Sequence, residues 1–372
     1  MTADSDPLEF FDSTFGTQIG EVDATSETFR YRGVSVADLV GTVPFEAVWS
    51  LLVEDDFTPT LPIGEPFPLR AHTGDVRVDA QSALAQLAPV WGFRPLHDID
   101  PATARQQLAR ASVMAFSFIA ESARGRSLPA VPQREVDRGR NVAERFLIRW
   151  RGESDPRQAE ALDAYFVVAA EHGINPSTLT ARVIASTGAD VAACLSGAVG
   201  AISGPLHGGA PARVMYMLDA AEGVEDADRF VADLLDSGRR IMGFGHRIYR
   251  AEDPRATVIR EVCRRLGARR YELAAGVEAA ALAALAERHP ERVIATNLEF
   301  WAAVLLDMLA APTTMYTPLF ICARMAGWSA HILEQHTVGR LVRPMATYVG
   351  RGARPPAEVA GWSAVQQLPR FS

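Results

Sequence analysis

Two histidines and one acidic residue stand where short glycine turns meet apolar helices, and these are the residues whose types and spacing could do chemistry. His207 lies in Ser203-Gly-Pro-Leu-His-Gly-Gly-Ala-Pro-Ala-Arg-Val214, a Gly/Pro turn that runs into a helix through Val214, Met215 and Leu218. Gly204, Gly208 and Gly209 lack a Cβ and so admit a tight turn and a ligand close to the backbone. Pro211 suits a first helical turn, where its missing N–H costs nothing. Free N–H groups at such a start attract anions and keep a nearby imidazole neutral. His246 follows a second glycine turn in Gly243-Phe-Gly-His-Arg-Ile-Tyr-Arg-Ala-Glu-Asp-Pro-Arg255, with Arg247, Arg250 and Arg255 behind it. Arginine's planar fork suits carboxylates and phosphates; Arg250 and Arg255 could equally pair with Glu252 or Asp253 across a solvated helix start. Glu299, in Ala295-Thr-Asn-Leu-Glu-Phe-Trp301, opens an apolar helix, where a carboxylate is seldom buried without a partner. Partial burial would raise its pKa and make it a general base; capping or a structural ion pair is the plainer use.

Several other chemistries lack their residues. There is neither GxGxxG nor the Lys-Ser/Thr of a P-loop, no histidine or cysteine spacing for a metal, and no GxSxG turn for a serine nucleophile. His72, His97 and His289 sit beside loops or charges, and His331 and His336 read as makers of core or interface hydrogen bonds. Two histidines and one carboxylate do not by themselves specify a triad.

The elements that must position these groups are nearly all helical. One apolar face carries Phe45, Val48, Trp49 and Leu52; another, opened by Pro101 and ended near Gly125, carries Leu108, Ala111, Ala115, Phe118 and Ile119. Residues 126–140 read as an exposed connection. Helices follow over 161–171 and 180–185, then an Ala/Gly/Ser-rich tract over 189–202 whose small residues allow close packing, either as a central helix or at a subunit contact. Beyond it the helices 228–237, 254–267 and 273–288 are more charged, which marks a smaller domain over 211–314, with the chain returning to the first domain through 315–335. The tract 300–328 contains Asp307, Pro312 and Arg324, so it reads as a buried helix pair broken at Pro312 and not as a membrane span. Alternating strand patterns are nearly absent, and short strands are expected only near the ends.

Length and composition bound the answer. The 372 residues can bury a large core in two domains or in one large domain with an insertion, and 48% apolar with 22% charged residues is ordinary for a soluble globular protein. A net charge of −8 argues against general nucleic-acid binding while allowing a local basic pocket for an anion. Cys194, Cys263 and Cys322 form no disulfide framework, which points to a reducing cytoplasm, and MTADSDPLEF has no signal-peptide pattern.

The motifs together resemble the citrate synthases, particularly the short bacterial type that can also show 2-methylcitrate synthase activity. The resemblance is carried in order by Tyr31-Arg-Gly33, Glu171-His172 with Asn175-Pro-Ser-Thr178, Ser203-Gly-Pro-Leu-His-Gly-Gly-Ala210, Gly243-Phe-Gly-His-Arg247 with Asp253-Pro-Arg255, Asn297-Leu-Glu299-Phe300, Gly327-Trp328 with Ala330-His331, and Arg343-Pro344 with Tyr348. It implies a mainly α, two-domain helical fold with a few short strands near the termini. The large domain would comprise 1–210 and 315–372 and the small one 211–314, with the C-terminal segment reaching the partner in a homodimer. It further implies an acyltransferase of the tricarboxylic acid cycle with no bound cofactor and no metal, taking acetyl-CoA as co-substrate. His207 would hydrogen-bond the thioester oxygen, Glu299 would take the methyl proton, and His246 would polarise the oxaloacetate ketone. His172, Arg255, Arg324 and a partner-derived Arg343 would hold the oxaloacetate carboxylates. Arg250 and the turn with Leu206, Gly208, Gly209 and Ala210 would hold coenzyme A.

Two departures are visible. The family's usual base is aspartate where this chain has Glu299, an arm one methylene longer. Before Tyr31, Phe15-Gly-Thr-Gln-Ile-Gly replaces the customary Gly-Leu-x-Gly-Val, a change that falls on strand geometry more than on chemistry. The alternatives are a 2-methylcitrate synthase using propionyl-CoA and a catalytically weak regulator that binds CoA or oxaloacetate.

Overall fold

The computed structural model describes residues 15–23, 28–58, 61–224, 226–245 and 253–366. His246, Arg247 and Arg250 lie outside the described residues.

The chain enters through an antiparallel sheet of β1 (Gly20–Asp23), β2 (Thr28–Tyr31) and β3 (Val34–Ser35), in register Gly20 to Tyr31 and Tyr31 to Val34. Arg32 (φ 48°) and Gly33 (φ 83°) form the turn between β2 and β3, the pair of left-handed residues that a two-residue hairpin needs. The altered opening segment still feeds this sheet: Ile19 is fully buried and its carbonyl accepts the Arg32 N–H at 2.9 Å.

Helices follow: α1 (Val36–Leu39), α2 (Phe45–Glu54), α3 (Val76–Trp91), α4 (Pro101–Arg124), α5 (Gln133–Val136), α6 (Val142–Arg151), α7 (Pro156–Ala169), α8 (Pro176–Ser186), α9 (Val191–Ile202), α10 (Ala210–Ala221), α11 (Ala227–Asp236), α12 (Pro254–Arg265), α13 (Tyr271–Arg288), α14 (Leu298–Asp307) and α15 (Tyr316–Val338). One device starts most of them. An Asp or Asn side chain accepts a first-turn N–H at α3, α4, α6, α7, α8, α9, α11, α12 and α14, and proline occupies the first turn of α4, α7, α8 and α12.

The small-residue tract forms α9, which packs against α3, α8 and α15. α15 is buried nearly all round, from Tyr316 to Leu333, and α2, α4, α7 and α8 pack on it. It begins after α14 and a 3₁₀ turn over Thr313–Met315, so the pair is broken at Pro312 as its sequence predicts. Two of the longer helices, α3 and α6, lie outside the periodic segments named above. In α3 the buried side is mostly alanine (Ala80, Ala83, Leu84, Leu87), and in α6 arginines interleave with Phe146, Leu147 and Trp150, so both have weak or crowded periodicity. The connection 126–140 also holds α5, with Val136 buried. Among the described residues no helix is long and apolar enough to cross a membrane.

Residues 16–342 form one compact unit. The other unit comprises the first fifteen residues and 343–372; its described C-terminal part carries a 3₁₀ turn at Pro356–Glu358 and α16 (Trp362–Val365), with its side chains, among them Arg343, Met345 and Tyr348, exposed.

Candidate active site

The His207 turn is held from below. The Gly208 N–H donates to Ile202 O at 3.0 Å, Thr317 Oγ1 donates to Gly208 O at 2.9 Å, and Arg77 on α3 donates to Ser203 O at 3.0 Å. A Cβ at Gly208 would come within 2.3 Å of Ile202 O, so glycine is obligatory there, whereas Gly204 and Gly209 have ordinary clearance. His207 Nε2 lies 2.8 Å from the Ser177 hydroxyl at the start of α8. Trp328 Nε1 donates to that hydroxyl at 3.2 Å, and Asn175 Oδ1, which already accepts the Thr178 N–H, lies 2.8 Å from it. Ser177 thus has one proton and two acceptors for it. When the proton goes to Nε2, His207 carries its own proton on Nδ1, which is then a donor. Burial, helped by Arg324, pushes the His207 pKa down to about 4, so the ring is neutral at physiological pH.

Glu299 is placed by a zipper of backbone bonds. Gly245 N–H donates to Ala295 O at 2.7 Å and Asn297 N–H to Gly243 O at 2.9 Å; Asn297 Nδ2 donates to Gly245 O at 2.8 Å. Asn297 Oδ1 then accepts the Glu299 N–H at 3.1 Å as the cap of α14. Gly243 (φ 88°) has Phe300 against it, within 2.9 Å of where a Cβ would lie. The loop that leads to His246 and the helix that carries Glu299 are therefore one fixed corner. The Glu299 carboxylate makes no hydrogen bond or ion pair among the described residues. Crowding by protein raises it to about 7; the Arg255 charge opposes the rise, Asp253 adds to it, and Arg324 opposes it.

The cationic wall comes from α12 and α15. Arg255 is buried and pairs with Asp253 at 2.8 Å, the pairing that its sequence left open, and its guanidinium lies 5.6 Å from the Phe29 ring centre. Phe29 also meets the His172 ring edge-on at 5.4 Å, which links β2 to the segment that follows α7. Arg324, 2% exposed, donates through Nε to Ala169 O at 3.0 Å and lies 4.6 Å over Phe320, whose ring meets that of His207 at 6.1 Å. Behind His172, Glu171 is fully buried. Its N–H donates to the Tyr31 hydroxyl at 3.2 Å, and its carboxylate lies 3.0 Å from His331 Nε2. Arg182 Nε donates to His331 Nδ1 at 2.9 Å, which fixes the His331 proton on Nε2, toward Glu171.

A cleft of about 890 Å3 opens beside Glu299 and Asn297, walled by Gly243, Phe244 and Gly245 and rimmed by Arg239, Arg240, Arg292 and His289. Of the residues singled out from the sequence, Glu299, Arg255, Arg324 and His207 thus share one electrostatic neighbourhood, and His172 joins them through Phe29. Leu206 projects into solvent at 97% exposure, Gly208 and Gly209 lie in the turn, and Ala210 starts α10. Arg343 heads the exposed C-terminal segment. No group of three or more His, Cys, Asp or Glu among the described residues is placed to hold a metal ion. Sequence reasoning passed over Arg77, gave no role to Ser177 or Trp328, and offered Asp253 only as an ion-pair partner for an arginine. The last three stand within the motif strings, but which atoms they meet depends on packing between helices far apart in the chain.

The family model for the C-terminal domain of citrate synthase matches residues 13–345. A Mycobacterium tuberculosis protein named "Putative citrate synthase 2" is 61% identical over 352 residues, 94% of each chain. A 2-methylcitrate synthase of Shewanella oneidensis is 30% identical over 91% of this chain and 93% of its own. Among solved structures, the citrate synthase of Thermoplasma acidophilum, in a ternary complex with carboxymethyl coenzyme A and oxaloacetate, superposes with a TM-score of 0.80 at 24% identity, over 92% of this chain and 96% of that one.

Proposed function

With a family match over most of its length, the chain belongs to the citrate synthase family, and we propose from its site which residues carry the reaction. The protein condenses acetyl-CoA with oxaloacetate and hydrolyses citryl-CoA to citrate and CoA. Our assignment gives the methyl proton to Glu299, the thioester oxygen to His207 Nδ1–H, and the oxaloacetate carboxylates to Arg255, Arg324 and His172. Loss of the proton leaves an enol or enolate whose carbon forms the new bond to the ketone carbon of oxaloacetate, with His246 polarising the ketone oxygen. Water then cleaves the thioester.

One observation carries the assignment. A carboxylate with no hydrogen-bond or ion-pair partner among the described residues, raised to about 7, shares a field with two buried arginines and a neutral histidine. A thioester methyl is a weak acid, so a base alone is insufficient and a neutral donor must share the developing oxyanion charge. A dicarboxylate acceptor needs buried cations. The longer Glu299 arm departs from a helix start that the 243–245 loop fixes.

The small domain would be 211–314. Arg255 and Glu299 come from it, while His172, His207 and Arg324 come from its flanks, which supports a cleft that closes on substrate. Arg239, Arg240 and Arg292 make no ion pair among the described residues, which supports coenzyme A phosphates along that cleft beside the turn 206–210 and Arg250. A homodimer fits the open apolar side chains Ile174, Leu179 and Val183 at and on α8, with Arg343 reaching the partner's site. Three buried, free cysteines fit a cytoplasmic location.

The test is thiol release by the purified protein given oxaloacetate with acetyl-CoA or with propionyl-CoA. The expected result is oxaloacetate-dependent release with preference for acetyl-CoA, by about ten- to two-hundredfold if the acyl pocket discriminates one methylene. Preference for propionyl-CoA would make the chain a 2-methylcitrate synthase. Binding of oxaloacetate without release would make it a regulator.

A further inference from the structure

Glu299 and Arg255 stand on different helices, yet one carboxylate holds both. Asp253, 1% exposed, accepts on Oδ1 the Arg255 backbone N–H (3.1 Å) and Nε (2.9 Å). On Oδ2 it accepts Arg255 Nη2 (2.8 Å) and the Leu298 N–H (3.0 Å). We propose that Asp253 is a positioning residue for the condensation, setting the plane of the Arg255 guanidinium and the seat of the helical turn from which Glu299 projects. The inference rests on the roles given above to Arg255 and Glu299.

Capping alone does not account for this arrangement. A cap needs one acceptor oxygen, and α6, α8 and α14 obtain it from Asn141, Asn175 and Asn297. At α12 the second oxygen crosses to α14, and the negative charge is buried, which is tolerated only against a cation with its hydrogen bonds made. The two-point grip on Nε and Nη2 fixes a plane that a single contact would leave free. Leu298 is the residue before Glu299, so a displaced amide there displaces the base.

The charge of Asp253 also faces the base. Around Glu299 stand Arg255 and Asp253 of α12, Arg324 of α15 and Tyr165 of α7, with Arg239, Arg240, Arg292 and His289 on the cleft. Of these, Asp253 is the anion, and it keeps the base protonated to higher pH against the arginines.

The experiment is Asp253→Asn in the full chain, assayed by thiol release across pH beside the wild type. Asparagine still caps α12 through Oδ1 but removes the charge and the acceptor on the other side. The expected result is a kcat lower by about ten- to a hundredfold and an oxaloacetate KM higher by about tenfold, with the acidic limb of the kcat profile moved to lower pH. A kcat loss with KM and the limb unmoved would reduce Asp253 to a structural residue and overturn the inference, as would values within about twofold of wild type.

Leu298→Pro provides the second arm. Proline is accepted at the first helical position, Asn297 is already extended (φ −105°, ψ 171°), and only the amide that Asp253 grips is lost from the backbone. That variant should lower kcat while leaving the oxaloacetate KM unchanged; unchanged kcat in a folded protein would overturn the inference. Wild-type turnover separates the two levels. Absence of oxaloacetate-dependent release from wild type removes the roles of Glu299 and Arg255, whereas normal wild-type turnover with an indifferent Asp253→Asn removes only that of Asp253.

Discussion

The two helix starts that carry the acid–base groups are built differently. Glu299 rides on a corner locked by backbone bonds between 243–245 and 295–297, with Asn297 and Asp253 gripping consecutive amides. His207 rides on a turn whose imidazole has, among the described residues, one hydrogen bond, to a hydroxyl shared with Trp328 and Asn175. Burial acts on both and moves them oppositely, raising the carboxylate to about 7 and lowering the imidazole to about 4. Desolvation penalises charge whichever sign it has, so the same environment yields a base poised near neutrality and a donor that stays uncharged. The base needs an exact seat, whereas the donor needs the right proton on the right nitrogen.

The comparison breaks most sharply at the base. Glu299→Gln should cut turnover by about a hundred- to ten-thousandfold while oxaloacetate still binds, read by thiol release and by calorimetric titration. Unchanged turnover would sink the base assignment. In the wild type kcat should rise with pH through about 7, because only the ionised carboxylate accepts the methyl proton.

Ser177→Ala tests the other start. Loss of the hydroxyl leaves Nε2 without its donor and the His207 tautomer undirected, and kcat should fall by about tenfold, a smaller effect than at Glu299 because the ring keeps its packing against Phe320. An equal loss in both variants would erase the distinction between seat and tautomer.

The smallest effect is on stability. The folded pKa of Glu299 lies above the ordinary carboxylate value, so the native state holds a proton that the unfolded chain releases. Stability is then lost as pH rises from 4.5 to about 7 and is level above that. Glu299→Gln has no proton to lose. Its Tm should exceed that of wild type by roughly a few degrees near pH 8 and match it near pH 4.5. Equal Tm values at both would mean that the carboxylate is not desolvated.

Much of the fold was legible because its signals are local. Pro101, Asp253-Pro254 and Asn297 announce their helix starts, and Pro312 announces the break before α15, whereas the helix read over 180–185 begins earlier, at Pro176 behind its Asn175 cap. Helix α3 was not legible, since an alanine face gives little contrast, yet it brings Arg77 under the His207 turn and pairs Gln81 with Ser196 of α9.

At the site, the amino-acid types alone determined that His207, Glu299 and Arg255 were chemical candidates, because charge or imidazole beside glycine turns and apolar helices is costly without use, whereas Arg324 entered through the family resemblance. Only the tertiary structure decided how they work. A carboxylate's pKa is set by what crowds it, and a histidine's tautomer by the proton of a neighbour thirty positions away, as Ser177 is from His207. The ambiguity at Arg255, pair or ligand, was resolved the same way: Asp253 does grip it, and the second oxygen of that carboxylate reaches a helix more than forty residues on, a contact distance that no local spacing encodes.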